Sequence, residues 1–318
     1  MFKRFTLADF ENTFQNKFEH FLGRVSFEAR SIEIPVMLKA SEWKSFTVFR
    51  SSRRSRLANN RFETIEQLWK DDLPSPELDT ADPLLVARTL REQVLKFAAL
   101  ARGQSALIDV TSFRREELLI LFSILKNHDL GDVGKWRLGY VGTQDMGRWL
   151  SGKVTAVRSV VGFAGDMWPS KSSRLVIMMG FELERARSIV DAYEPGLVIL
   201  GFGKRSESIS ETLYSRNAAV VEQLASDIGG DVKRFEFSAR DPSQVVLDLE
   251  DALGDDTAFN TILAPLHTKL STLGAGMYAS KHSEVQICYA AVDEYNEDEY
   301  SKPGTAVYVL PLQSILGD

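Results

Sequence analysis

Two stretches of this chain pair hydroxyl residues with a cation in a way that suits anion binding. They are Thr111-Ser112-Phe113-Arg114-Arg115-Glu116 and Leu266-His267-Thr268-Lys269-Leu270-Ser271-Thr272. Each follows an apolar run and opens a helical pattern. Backbone N–H groups at a helix start point outward, and the helix dipole there favours negative charge. Two further stretches, Glu28-Ala29-Arg30-Ser31 and Glu182-Leu183-Glu184-Arg185, also follow apolar runs. The candidate ligand-binding residues are therefore Thr111, Arg114, Arg115, Glu182, Arg185, His267, Thr268 and Lys269. In an enzyme, Glu28 or Glu182 would be the acid/base group, because a carboxylate held in a crevice can have a perturbed pKa. The same residues also have a purely structural reading. Ser and Thr before a helix are common N-caps, and Arg or Lys can balance a buried Glu.

Other chemistries find little support. The histidines are His20, His128, His267 and His282, with no HExxH and no metal-ligand spacing. No Gly-x-Ser-x-Gly elbow occurs, and the single cysteine, Cys288, falls inside an apolar run. Gly201-Phe202-Gly203-Lys204 follows a buried strand but lacks the spacing of a dinucleotide or P-loop fingerprint. No motif implies a metal or a cofactor. Ser51–Arg56 is the one basic cluster, read as a solvated loop or a nucleotide contact. Asp293–Ser301 is acidic and lacks the order of a calcium loop, so it reads as a solvated loop.

The elements that must position these residues alternate. In the second half, apolar runs at 174–180, 197–202, 232–237, 259–266 and 284–291 read as strands. Helical patterns at 183–193, 209–228, 242–253 and 268–281 separate them. Such alternation gives a mostly parallel five-strand sheet with helices on both faces. In the first half, strands are expected at 24–30, 45–51, 105–110 and 136–141. Helices are expected at 32–42, 61–70, 84–101 and 116–126, and the proline-rich stretch 71–83 stands where a third strand is missing or distorted. If each sheet has the order 3-2-1-4-5, ligands bind beyond the carboxyl ends of strands one and four. Those ends are the four stretches named above.

The two series have the same order. Phe27-Glu28 follows one first strand and Phe181-Glu182 the other, Tyr140 and Tyr289 sit in the last strands, and Arg114 and Lys269 hold matching places. This predicts a tandem duplication of a Rossmann-like unit. The expected divisions are an amphipathic N-terminal segment (1–23), a first unit (24–157), a linker (158–173) and a second unit (174–318). The linker holds Trp168-Pro169-Ser170-Lys171, expected to form an ordered turn with a buried Trp.

With these turns in view, the chain resembles the CRISPR-associated Rossmann-fold sensor domains of prokaryotic defence systems, including sensors that fuse two such units. Members hold cyclic oligonucleotides with a small, hydroxyl-rich turn ending in Lys or Arg after the fourth strand. Thr111-Ser112-Phe113-Arg114 and Leu266-His267-Thr268-Lys269 are similar to that turn. The resemblance implies a non-catalytic, nucleotide-sensing or partner-binding subunit of a defence or signalling assembly. The alternatives are an enzyme acting on a nucleotide or nucleoside, and a pure protein-interaction scaffold.

Composition bounds the partners. The chain has 318 residues, 38 Lys and Arg, 44 Asp and Glu, and a net charge of −6. An acidic surface disfavours extended nucleic acid. No apolar run approaches the roughly 18–20 residues that span a bilayer. The expected partners are a cyclic oligonucleotide or other nucleotide, and a protein or a second copy. A single cysteine and no apolar leader fit the cytoplasm.

Overall fold

The computed structural model describes residues 2–39, 41–53, 55–69, 73–229, 232–254 and 258–317. Five expectations fall partly outside them: Ala40 of the helix at 32–42, the helix end at Lys70, the first two residues of the 71–83 loop, Arg54 of the basic cluster and Gly230 as a helix stop. The chain forms two units. The first comprises 1–146 and 297–318, and the second comprises 147–296.

The first unit begins with β1 (Lys3–Thr6) and α1 (Leu7–Phe14), then β2 (His20–Arg24), α2 (Glu33–Met37), β3 (Ser45–Ser51) and α3 (Arg56–Leu68). It continues with β4 (Glu77–Leu78), α4 (Pro83–Leu100), β5 (Ala106–Asp109), α5 (Arg115–Asn127) and β6 (Trp136–Met146). The second unit contains β7 (Val154–Ser159), β8 (Ser172–Met178), α6 (Leu183–Tyr193), β9 (Leu197–Gly203) and α7 (Glu211–Ile228). Then come β10 (Lys233–Phe237), α8 (Pro242–Leu253), β11 (Phe259–Pro265), α9 (Lys269–Lys281) and β12 (Gln286–Val292). The chain ends in the first unit with β13 (Ser301–Pro311) and α10 (Leu312–Leu316).

Both sheets have the expected core. Strand order is β4-β3-β2-β5-β6 in one unit and β10-β9-β8-β11-β12 in the other, all parallel, which is 3-2-1-4-5 in each. The missing third strand of the first unit is β4, only two residues long and paired to Arg50 and Ser51. Each sheet is wider than the five strands expected. Beside β6 lies β13, antiparallel, and beside that β1; beside β12 lies β7, also antiparallel.

One strand sits upstream of its expected place. The alternation in Arg24–Arg30 suggests a strand, but β2 is His20–Arg24, buried at every position. Residues 26–28 turn away and Ala29–Ile32 forms a single 3-10 turn. A strand covered on both faces needs a continuous apolar stretch rather than alternation, and Phe21-Leu22 supplies it. The N-terminal segment belongs to the same core: Phe10, Phe18 and Phe21 are buried together, and Phe14 stacks on Phe18 at 5.4 Å. Helix starts follow local chemistry. The Asp82 carboxylate accepts from the N–H groups of Leu84 and Leu85, and Asp241 from Ser243, each with proline in the first turn.

The segment before β8 forms the expected turn. Lys171 N–H donates to Trp168 C=O, and the buried Asn260 amide bonds Trp168 N–H, Trp168 C=O and Lys171 C=O. Trp168 itself is not buried: it is 58% exposed, because the backbone rather than the indole anchors the turn. At Gly165, φ is +67° and a Cβ would lie 2.6 Å from Gln286 N, so only glycine fits.

Candidate functional site

The strand registers align the two units residue by residue. Leu22 pairs with Ile108, which pairs with Leu138; Val176 pairs with Leu263, which pairs with Ile287. From those rows, Phe27 and Phe181 are each five residues on from the first strand. Arg114 and Lys269 are each six on from the fourth, and Tyr140 and Tyr289 are each two on from the fifth. The helix starts differ by one, since α5 opens at Arg115 and α9 at Lys269.

The turn after the first strand carries the same four-part clasp in both units. In the first, the Glu28 carboxylate accepts from Arg30 Nε at 2.8 Å and from Ser301 Oγ at 2.8 Å. Arg30 also donates to Val141 C=O at 3.0 Å and Tyr140 Oη at 3.1 Å, with its guanidinium 5.5 Å from the Tyr140 ring centre. In the second, Glu182 accepts from Arg185 at 3.2 Å and from Ser151 Oγ at 2.5 Å. Arg185 donates from Nε to Ala290 C=O at 2.8 Å and lies 5.0 Å from the Tyr289 ring centre. All four charged residues are buried.

Each arginine therefore reaches from the first strand's turn to the fifth strand, over the carboxyl end of the fourth. The clasp occupies the place where strand order reverses. Burial opposes the charge of Arg30, yet Glu28 and Tyr140 together hold its pKa above the ordinary range. Glu28 and Glu182 thus act as partners of guanidinium groups. Sequence spacing put Glu182 and Arg185 on one helix face, and they do pair. It gave no sign that Ser151 and Ser301 complete the clasps.

Beneath the clasps the units differ. In the first, Arg24 at the end of β2 forms a buried ion pair with Glu117 at 2.9 Å and donates to Ser112 C=O at 3.0 Å. Ser112 Oγ donates back to Arg24 C=O. Glu117 also accepts from Arg114 N–H at 2.7 Å, closing the start of α5. Thr111 Oγ1 accepts from Val141 N–H at 2.9 Å. The sequence reading did not single out Asp109, the last residue of β5, which is buried and accepts from Thr111 N–H at 2.9 Å. Burial pushes its pKa up to about 7, against Thr111 hydrogen bonds and the Arg30 charge. The one available signal was an acid ending an otherwise apolar strand, Ala106–Asp109.

In the second unit the strand ends meet through backbone. A Cβ at Gly180 would lie 2.2 Å from Leu266 C=O, so the turn requires glycine there. Leu266 N–H donates to Met178 C=O, and the buried Asn217 amide donates to the carbonyls of Met179 and Gly180. Thr268 caps α9 by accepting from Ser271 N–H at 3.0 Å, and its hydroxyl donates to Ala239 C=O at 2.7 Å. Ser271 and Thr272 hydroxyls both donate to Thr268 C=O. His267 packs edge-on against Phe237, ring centres 5.2 Å apart. Arg114, Arg115 and Lys269 are half-buried at the two helix starts. In the Gly201–Lys204 turn, Lys204 pairs with Asp248 at 2.7 Å and Gly203 packs on the His267 ring.

Among the described residues, no group of three or more His, Cys, Asp or Glu side chains is placed to hold a metal ion. Nor is any helix long and apolar enough to cross a membrane. No protein-family model and no curated protein sequence matches the chain.

Proposed function

We propose that this protein is a non-catalytic, nucleotide-sensing subunit of a prokaryotic defence or signalling assembly, in the manner of the Rossmann-fold sensors its turns resemble. The observation that carries the non-catalytic part is the clasp. Both crevice carboxylates are buried and committed to arginine and serine, so neither is poised to exchange a proton with a substrate. The sensing part rests on the register match of Arg114 with Lys269 beside the half-buried helix starts. Phosphate would be met by Arg114, Arg115 and Lys269, while Thr111 and Thr268 shape the turns.

The test is a thermal melt against linear and cyclic nucleotides, run beside mass spectrometry of small molecules released from the purified protein. A nucleotide should raise the melting temperature, and Lys269→Met should abolish that rise while leaving the apo melt almost unchanged. No shift with any nucleotide, together with a large fall in apo stability for Lys269→Met, would leave Lys269 as a structural cation and remove the sensing reading.

A further inference from the structure

The antiparallel sixth strands do not belong to the sheets that precede them in the chain. Strand β7 follows β6 directly, yet pairs with β12; β13 follows β12 directly, yet pairs with β6. Their registers match. Tyr140 faces Tyr308 and Met146 faces Ser301, while Tyr289 faces Arg158 and Tyr295 faces Ser151. A step of six residues from Tyr140 to Met146 faces a step of seven from Ser301 to Tyr308, with two register shifts between. A step of six from Tyr289 to Tyr295 faces a step of seven from Ser151 to Arg158, with one shift between and the Ser151–Tyr295 contact just beyond the ends of β7 and β12. Ser301 and Ser151 are thus one position seen twice, and both reach the crevice glutamate of the unit that receives the strand. In chain order the same features recur: Phe27, Glu28, Tyr140, Ser151, then Phe181, Glu182, Tyr289, Ser301.

We infer that the chain is two tandem repeats that have exchanged their sixth strands, so that each repeat completes the other's sheet and closes the other's clasp. A repeat here means five parallel strands and the sixth strand that follows them, β2 to β7 and β8 to β13. A β6 edge of eleven residues left without β13 would expose unpaired backbone groups along a buried strand. The same holds for β12 without β7. Exchange of an identical element between two copies is a known route to dimers, and here one chain carries both copies. The inference does not depend on any ligand. Its consequence is that neither unit forms from one repeat alone, so the repeats stay together even when the chain between them is cut.

The experiment uses the full chain with a protease site placed at 166–170, an exposed stretch between β7 and β8. Cutting there separates the repeats in chain order. Two cysteine pairs are added at facing positions, Asp145→Cys with Lys302→Cys and Ala156→Cys with Ala291→Cys. Each pair has one member on each piece. After cutting, the pieces should run as one particle on gel filtration. Oxidation should join them through either pair on a non-reducing denaturing gel. The cut protein should melt with a midpoint that rises with concentration, whereas the midpoint of the uncut protein should not. Separate peaks, co-eluting pieces that neither pair can join, or two melts independent of concentration would each overturn the exchange.

Discussion

The two units keep the same clasp over different floors. Glutamate, arginine, tyrosine and serine recur at matched positions, although the arginine sits two residues after Glu28 and three after Glu182. Below them, register pairs Arg24 with Met178, Asp109 with Ala264 and Thr111 with Leu266. The first unit joins its strand ends through buried charges, and the second through glycine, asparagine and backbone. The third strands differ as well, two residues for β4 and five for β10. The retained part is thus the contact that ties the first strand's turn to the fifth and sixth strands. The floor tolerates either solution, because a buried hydrogen-bonded pair and close backbone packing both exclude water.

The strongest way to break the comparison is to remove each arginine. Arg30→Met and Arg185→Met leave Glu28 and Glu182 buried without their guanidinium. Breaking such a pair costs about 3–5 kcal/mol. If the clasps are equivalent, denaturant melts of the two variants should fall by similar amounts. A loss confined to one of them would make the other clasp incidental.

Asp109 sharpens the difference between the floors, since the second unit has Ala264 at that place. Its folded pKa is raised by burial from 3.8 to about 7. Its contribution to stability is therefore complete below about pH 3.8 and is lost as pH rises through about 7. Asp109→Asn should melt above the wild type at pH 8, by at most ~4 kcal/mol for a shift of this size, and the gap should narrow as pH falls through about 7 and close only below about pH 3.8. A gap that stays constant with pH would mean that Asp109 is already ionised in the folded protein.

The serines test the smallest effect. Ser151→Ala and Ser301→Ala each remove one hydrogen bond to a buried carboxylate, worth about 1.5–3 kcal/mol. Each should loosen the unit that receives the strand, read as faster amide exchange near Glu182 for the first and near Glu28 for the second. Ser301→Ala that speeds exchange around Glu182 instead would reverse the assignment of strands to clasps.

Much of this architecture was open to reading in the residues. Apolar runs such as Arg174–Gly180 and Phe259–Leu266 mark strands covered on both faces, and breakers such as Glu194-Pro195-Gly196 mark helix ends. The order of elements then limits the sheet to few topologies. Phe27 with Phe181, and Arg114 with Lys269, could be matched for that reason. Strands at Val154–Ser159 and Ser301–Pro311 were not among those expected. Their partners were not visible. Local periodicity reports which face of a strand is buried, but it carries no information on which distant edge supplies the hydrogen bonds. Tertiary structure alone decided that β7 serves β12 and β13 serves β6. It also brought Ser151 and Ser301 to the glutamates, and it sealed Asp109 under Arg30. Hydroxyls and carboxylates far apart in the chain acquire their roles only when burial removes water and leaves each other as partners.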